Sequence, residues 1–231
     1  MGEYVNLNQA NNNIDLDKRI KFKCSQCGKC CYQRNINAVE YNPYDIYRLS
    51  KFLGLSIPEF IDKYGVLDKD EMNFPVIKLR TKQYRGQCLF LKKGKCTVHE
   101  VKPLACALFP LGRGFNIIED KYMYVWQGCP RASDDGQITP REWLERFGIK
   151  EDEIGKSWLK QKTILVDYLW RLPFQLPEGI YTKIVEWLYY KYDTNKHFLP
   201  QFEHNCQELN IYMNEHSRLV QQAQELGILI K

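Results

Sequence analysis

Four cysteines stand within eight residues, in the run Cys24-x-x-Cys27-Gly28-x-Cys30-Cys31. Nothing else in the chain restricts its folding as tightly. Thiolates this close together, in a chain of ordinary composition, point to a soft-metal centre. Two Cys-x-x-Cys steps in series let a backbone wrap one site, as the cysteine run of bacterial ferredoxins does. The segment therefore reads as a loop around a ligand. Gly28 supplies the freedom for a tight turn or a close approach.

Further along come Cys88, Cys96, Cys106 and Cys129. With the first four they make eight thiols, enough for two four-ligand sites. The ninth, Cys206, lies on a predicted helix and reads as a core cysteine. An odd total without a secretion signal argues against a disulfide framework. Side chains on adjacent residues diverge, so Cys30 and Cys31 are awkward ligands for one face of one cluster. A simple arrangement gives Cys24, Cys27 and Cys30 to one cluster and leaves Cys31 to a second site or to support the first. The partition stays open. Cys129-Pro130 matches the ferredoxin habit of placing proline after a closing ligand. Structural zinc favours paired Cys-x-x-Cys knuckles, often with histidine. Here the first pair has no such partner, and only His99 is near. Its spacing from Cys96 is legal for a ligand, but a surface or hydrogen-bonding role is the better reading.

The 231 residues are 44% apolar and 26% charged, enough for a real core. The formal charge is +5, from 33 basic and 28 acidic residues, with no block of lysine and arginine. This is a mildly basic surface rather than a nucleic-acid footprint. No apolar run reaches the roughly 18 residues that a membrane span needs. Met1 to Asn13 is polar and lacks the apolar centre of a signal peptide, so the cytoplasm is the expected compartment.

The expected architecture is α+β: an irregular cysteine-rich metal-binding core with short β-hairpins and small helices, then a C-terminal helical segment. Residues 1–20 read as a loose arm, 21–136 as the cysteine domain, and 137–231 as helices packed on it. Helices are expected from Asn42 and from Ser56, each behind a capping residue with proline inside. A short helical turn from Pro103 carries Cys106. Later helices are expected near 140–147, 151–171, 179–192 and 200–226. One hairpin is expected to carry Cys88 and Cys96 on its two arms, around Lys93-Gly94-Lys95. Another joins Phe115–Ile118 to Tyr122–Trp126. Gly112-Arg113-Gly114 and Asp134-Asp135 both read as turns. Trp143, Trp158, Trp170 and Trp187 read as core, with a partner groove as the sharper alternative. No catalytic triad stands out.

These residues resemble the YkgJ-type cysteine-cluster family, also called the CxxCxxCC group of zinc- or iron-chelating domains. The resemblance runs over roughly residues 22–130. Its marks are Phe22-x-Cys24-x-x-Cys27-Gly28-x-Cys30-Cys31, Asp45-Ile46-x-x-Leu49, Gly86-x-Cys88-x-Phe90-Leu91, Cys96-x-Val98-His99-Glu100 and Lys102-Pro103-x-x-Cys106-x-x-Phe109-Pro110. The family usually has arginine at the place of Lys102 and often at that of Ala107. Lysine keeps the charge but not the planar fork. The resemblance implies a cysteine-ligated centre of iron–sulfur type, one or two [4Fe–4S] clusters, on Cys24, Cys27, Cys30, Cys31, Cys88, Cys96, Cys106 and Cys129. A flagellin lysine methylase carries a similar domain, but its reaction does not transfer. The leading expectation is electron transfer, or modification of a protein or small-molecule partner at the cluster. The rivals are a zinc-stabilised interaction module and a metal-trafficking protein.

Overall fold

The computed structural model describes residues 14–32, 39–82, 86–116, 118–129, 133–149, 153–171 and 178–225. Met1 to Asn13, Pro130, Pro173 and Pro177 lie outside them. The fold is α+β, with small antiparallel sheets and a helical C-terminal part.

Three helices begin on reciprocal capping boxes. Helix α1 (Pro43–Leu53) starts at Asn42, whose side chain accepts the Asp45 N–H at 2.7 Å while Asp45 accepts the Asn42 N–H at 3.4 Å. Helix α2 (Ile57–Tyr64) uses Ser56 with Glu59, and α4 (Pro140–Glu145) uses Thr139 with Glu142. Each box satisfies two N–H groups that the first turn leaves unpaired. Proline near the start of each adds a preset φ where no N–H is needed.

The largest sheet has the order β2 (Glu40–Tyr41), β4 (Pro75–Leu79), β3 (Gly65–Lys69), with Leu67 opposite Ile77 and Tyr41 opposite Ile77 on the other side. β5 (Thr81–Lys82) pairs with β6 (Gln87–Cys88), and β7 (Leu91–Lys92) with β8 (Lys95–Cys96). The second of these hairpins corrects the expected one. Leu91 faces Cys96 across a two-residue Lys93–Gly94 turn, and Cys88 faces Thr81 instead. Lys93 and Gly94 both have positive φ, 48° and 78°, as a type I′ turn needs.

β9 (Leu111–Asn116) and β10 (Lys121–Trp126) form the later hairpin, which begins earlier than expected. Gly112-Arg113-Gly114 is therefore strand, not turn. Asp134 and Asp135 likewise lie in a strand, β11 (Ser133–Ile138), which pairs with β1 (Ile20–Lys23). From Ile14 onward the N-terminal arm is tied down. The Ile14 N–H donates to Tyr124 O at 2.8 Å, and Arg141 grips Asp17 at 2.6 Å.

The C-terminal helices are α5 (Glu153–Arg171), α6 (Glu178–Val185) and α7 (Phe198–Glu225); α6 runs on into a π-turn at Glu186–Tyr190. Their apolar faces share one core with the first half of the chain: Ile46, Leu49, Phe60 and Ile77 pack with Leu165, Ile184, Leu188 and Leu209. Cys206 belongs to this core, as expected. A second cluster gathers Phe22, Ala107, Leu108, Leu111, Tyr124, Trp143, Leu144 and Ile149. Trp143 is buried, while Trp170 is 70% exposed and so departs from the core reading.

Candidate metal centre

The four-cysteine run folds as expected, as a loop that closes into one 3-10 turn, Lys29–Cys31. Gly28 heads the turn at φ +70° and accepts the Cys31 N–H at 3.0 Å. It is also the point of contact with the β7–β8 hairpin. A side-chain carbon at Gly28 would stand 2.9 Å from Gly94 O and 2.9 Å from Leu91 Cδ1. The missing side chain therefore lets the cysteine loop lie against the hairpin that carries Cys96.

Cys106 arrives from another direction, on the short helix α3 (Leu104–Leu108). Its approach is fixed from below by α1. The buried Asp45 carboxylate accepts the Leu104 N–H at 2.9 Å and is paired with Arg48 at 2.6 Å. Arg48 also donates to the Lys102 carbonyl at 2.5 Å. From above, the Trp143 indole N–H donates to Ala107 O at 3.1 Å. Asp45 thus does two jobs, capping its own helix and holding the backbone that leads into Cys106. Burial raises its pKa, opposed by Arg48 and by the Leu104 and Asn42 N–H groups.

These supports bring six of the eight thiols into one neighbourhood. Cys31 makes sulfur contacts with Cys30 and with Cys88. Cys24, Cys30, Cys96 and Cys106 all act electrostatically on the same side chain, Lys102. Cys88 is buried, while Cys31, Cys96 and Cys106 are half-buried, and Cys24, Cys27 and Cys30 are exposed. The group sits between the two apolar clusters: Cys88 belongs to the first, and Ala107, next to Cys106, to the second. Cys129 packs against the second cluster. Neither it nor Cys27 appears among the described contacts of the other thiols. His99 lies edge-on to Phe147, its ring centroid 5.9 Å away.

Lys102 is 8% exposed. Its ammonium sits 4.0 Å from the centroid of Phe147 and 5.5 Å from that of Trp143. Burial lowers its pKa, and the surrounding thiols oppose that shift. Four of the thiols, Cys30, Cys31, Cys96 and Cys106, have raised pKa values. The Cys31 contact and then burial keep Cys30 far above the ordinary thiol range. For Cys31 the Cys30 contact pulls downward, but the Cys88 contact and burial outweigh it and push the group up to about 12. Burial also raises Cys96 and Cys106.

Among the described residues, no three His, Cys, Asp or Glu side chains are drawn together tightly enough to hold an ion. The donor chemistry nevertheless fits a soft metal. The gathered donors are all sulfur, and they exceed the four that one tetrahedral zinc takes. Cys24, Cys30, Cys31, Cys88, Cys96 and Cys106 could hold such a centre once their protons are lost. The surrounding sequence had flagged all six. It did not reveal Arg48, whose only signal was an Asp-x-x-Arg spacing on one helix.

Residues 23–130 match the model of the CxxCxxCC family, described as a "putative zinc- or iron-chelating domain". The match spans a little under half of the chain and likens that segment to a metal-chelating cysteine domain. A curated relative is "Uncharacterized protein MJ0661" of Methanocaldococcus jannaschii. It is 27% identical over 93 residues, which cover 39% of this chain and 45% of the relative. The chain thus spans less than half the length of that relative. No solved structure matches the chain. Among the described residues, no helix is long and apolar enough to cross a membrane.

Proposed function

We propose that the 23–130 domain holds an iron–sulfur centre of [4Fe–4S] type, ligated by thiolates drawn from Cys24, Cys27, Cys30, Cys31, Cys88, Cys96, Cys106 and Cys129. The observation that carries this reading is the set of six thiols in one neighbourhood, four of them acting on Lys102 and two, Cys31 and Cys88, joined to these through Cys30. A mononuclear zinc site uses four donors and often takes histidine, whereas cuboidal clusters take cysteine. A bound cluster supplies one-electron chemistry, or a Lewis-acidic iron where a coordination position stays open. The protein then serves electron transfer, or modifies a protein or small-molecule partner at the centre. Nine free thiols suit a reducing compartment such as the cytoplasm.

The second reading is a zinc-stabilised module, favoured by the family's description, which names zinc beside iron. Iron, acid-labile sulfide and zinc per chain, measured after anaerobic purification, separate the two. A brown protein with stoichiometric iron and sulfide is expected. A colourless protein with tight zinc, and no iron after anaerobic reconstitution, overturns the cluster in favour of the zinc module.

A further inference from the structure

Lys102 is an expensive residue where it stands. Its ammonium is buried, and among the described residues no carboxylate lies within ion-pair distance of it. Removing an ammonium from water without a counter-charge is strongly unfavourable. The rings of Phe147 and Trp143 offset part of that cost through cation–π attraction. A methionine over the same rings would carry no such cost. The backbone that carries it is nevertheless held firmly, because Arg48 binds the Lys102 carbonyl and Asp45 binds the Leu104 N–H. Lys102 stands four residues before Cys106, on the backbone that leads into that cysteine, and the thiols of Cys106, Cys24, Cys30 and Cys96 act on it electrostatically. Four thiolates on a metal carry more negative charge than a divalent ion cancels.

We propose that Lys102 is the resident counter-ion of the cysteine centre, a buried cation whose anionic partner is the metal–thiolate unit itself. The proposal rests on the metal-centre reading above. It makes Lys102 a tuning residue rather than a ligand. The chain accepts an unfavourable charge in the metal-free state, and loading the centre relieves it. The sign of the effect on stability is therefore opposite in the two states. A purely structural lysine, bracing Phe147 and Trp143, would shift both states in the same direction.

The test uses the full chain as wild type, Lys102→Met, Lys102→Gln and Lys102→Arg, with zinc ion alone as the probe. Zinc requires thiolates but no sulfide, so the result does not depend on which metal is native. Two quantities are read: thermal unfolding of the metal-free protein, and zinc affinity by competition with a chromophoric chelator. The expected result is that the metal-free Met variant unfolds at or above the wild-type temperature. Both neutral variants should lose zinc affinity by about 10–100-fold, the range seen for groups behind metal ligands. Arg, which keeps the charge, should restore most of it. Unchanged affinity in the Met and Gln variants overturns the counter-ion while leaving the metal centre standing. Affinity and metal-free stability lost together, or Arg binding as weakly as Met, also overturns it. A wild-type chain that binds neither zinc nor iron overturns the metal reading, and the counter-ion with it.

Discussion

Gly28 and Asp45 are two residues whose roles go beyond their local conformation. Gly28 has both a positive φ of 70° and a backbone oxygen 2.9 Å from where a side chain would begin. Gly28→Ala should cost about 1–3 kcal/mol in denaturant unfolding, the usual cost of a non-glycine residue held in the left-handed region. It should also reduce metal retained per chain, because it pushes the cysteine loop off the Cys96 hairpin. Asp45→Ala leaves Arg48 and the Leu104 N–H without their partner. We expect a loss of about 3 kcal/mol, the low end for breaking a buried ion pair, since Arg48 is 21% exposed. Denaturant midpoints check it, and a change under about 0.5 kcal/mol, the range of an ordinary surface substitution, contradicts it. The turn role of Gly28 was legible in the sequence. The second role of Asp45 was not, because a capping aspartate looks the same whether or not a distant N–H shares its carboxylate.

Helix starts were the most legible elements, since a capping box is written in four adjacent residues. Strand pairing was less so. The turn at Lys93–Gly94 was legible, but the first arm of its hairpin is only Leu91–Lys92: Leu89 and Phe90 form a turn that their apolar composition hides, and Cys88 pairs with Thr81. The strand β11 hides behind Asp134-Asp135-Gly136, a turn-like composition overridden by long-range pairing of Ile138 with Ile20. The contact between α5 and α7 carries a pH dependence. Tyr168 Oη lies 2.7 Å from His216 Nδ1, and burial lowers the His216 pKa below its ordinary 6.5. The unfolded chain then binds a proton more readily than the folded one, so the stability linked to His216 is present above that pH and declines as pH falls through it. His216→Gln should flatten the acid side of a stability–pH curve between pH 7 and 5, with little change above 7. An unchanged acid slope contradicts this.

The molecule's two apolar clusters meet at the cysteine centre, and the larger joins Ile46 and Ile77 to Leu188 and Leu209 across most of the chain. Unlike a zinc finger, the fold has a core that does not depend on its ligand. Stripping the metal with a strong chelator should therefore lower the thermal midpoint yet leave the far-UV helical signal intact. A metal present at a hundred times its Kd contributes about 2.7 kcal/mol. Loss of the helical signal on chelation contradicts the shared core. The cysteine spacing made the donor set legible, but the cation among the thiols emerges only when α1, α3 and α4 are packed together. X-ray absorption at the metal edge of the loaded full chain tests whether sulfur alone surrounds the metal. A first shell of sulfur at about 2.3 Å with no nitrogen is expected, with a nearby iron–iron distance when iron is bound. A first shell dominated by nitrogen or oxygen would contradict it.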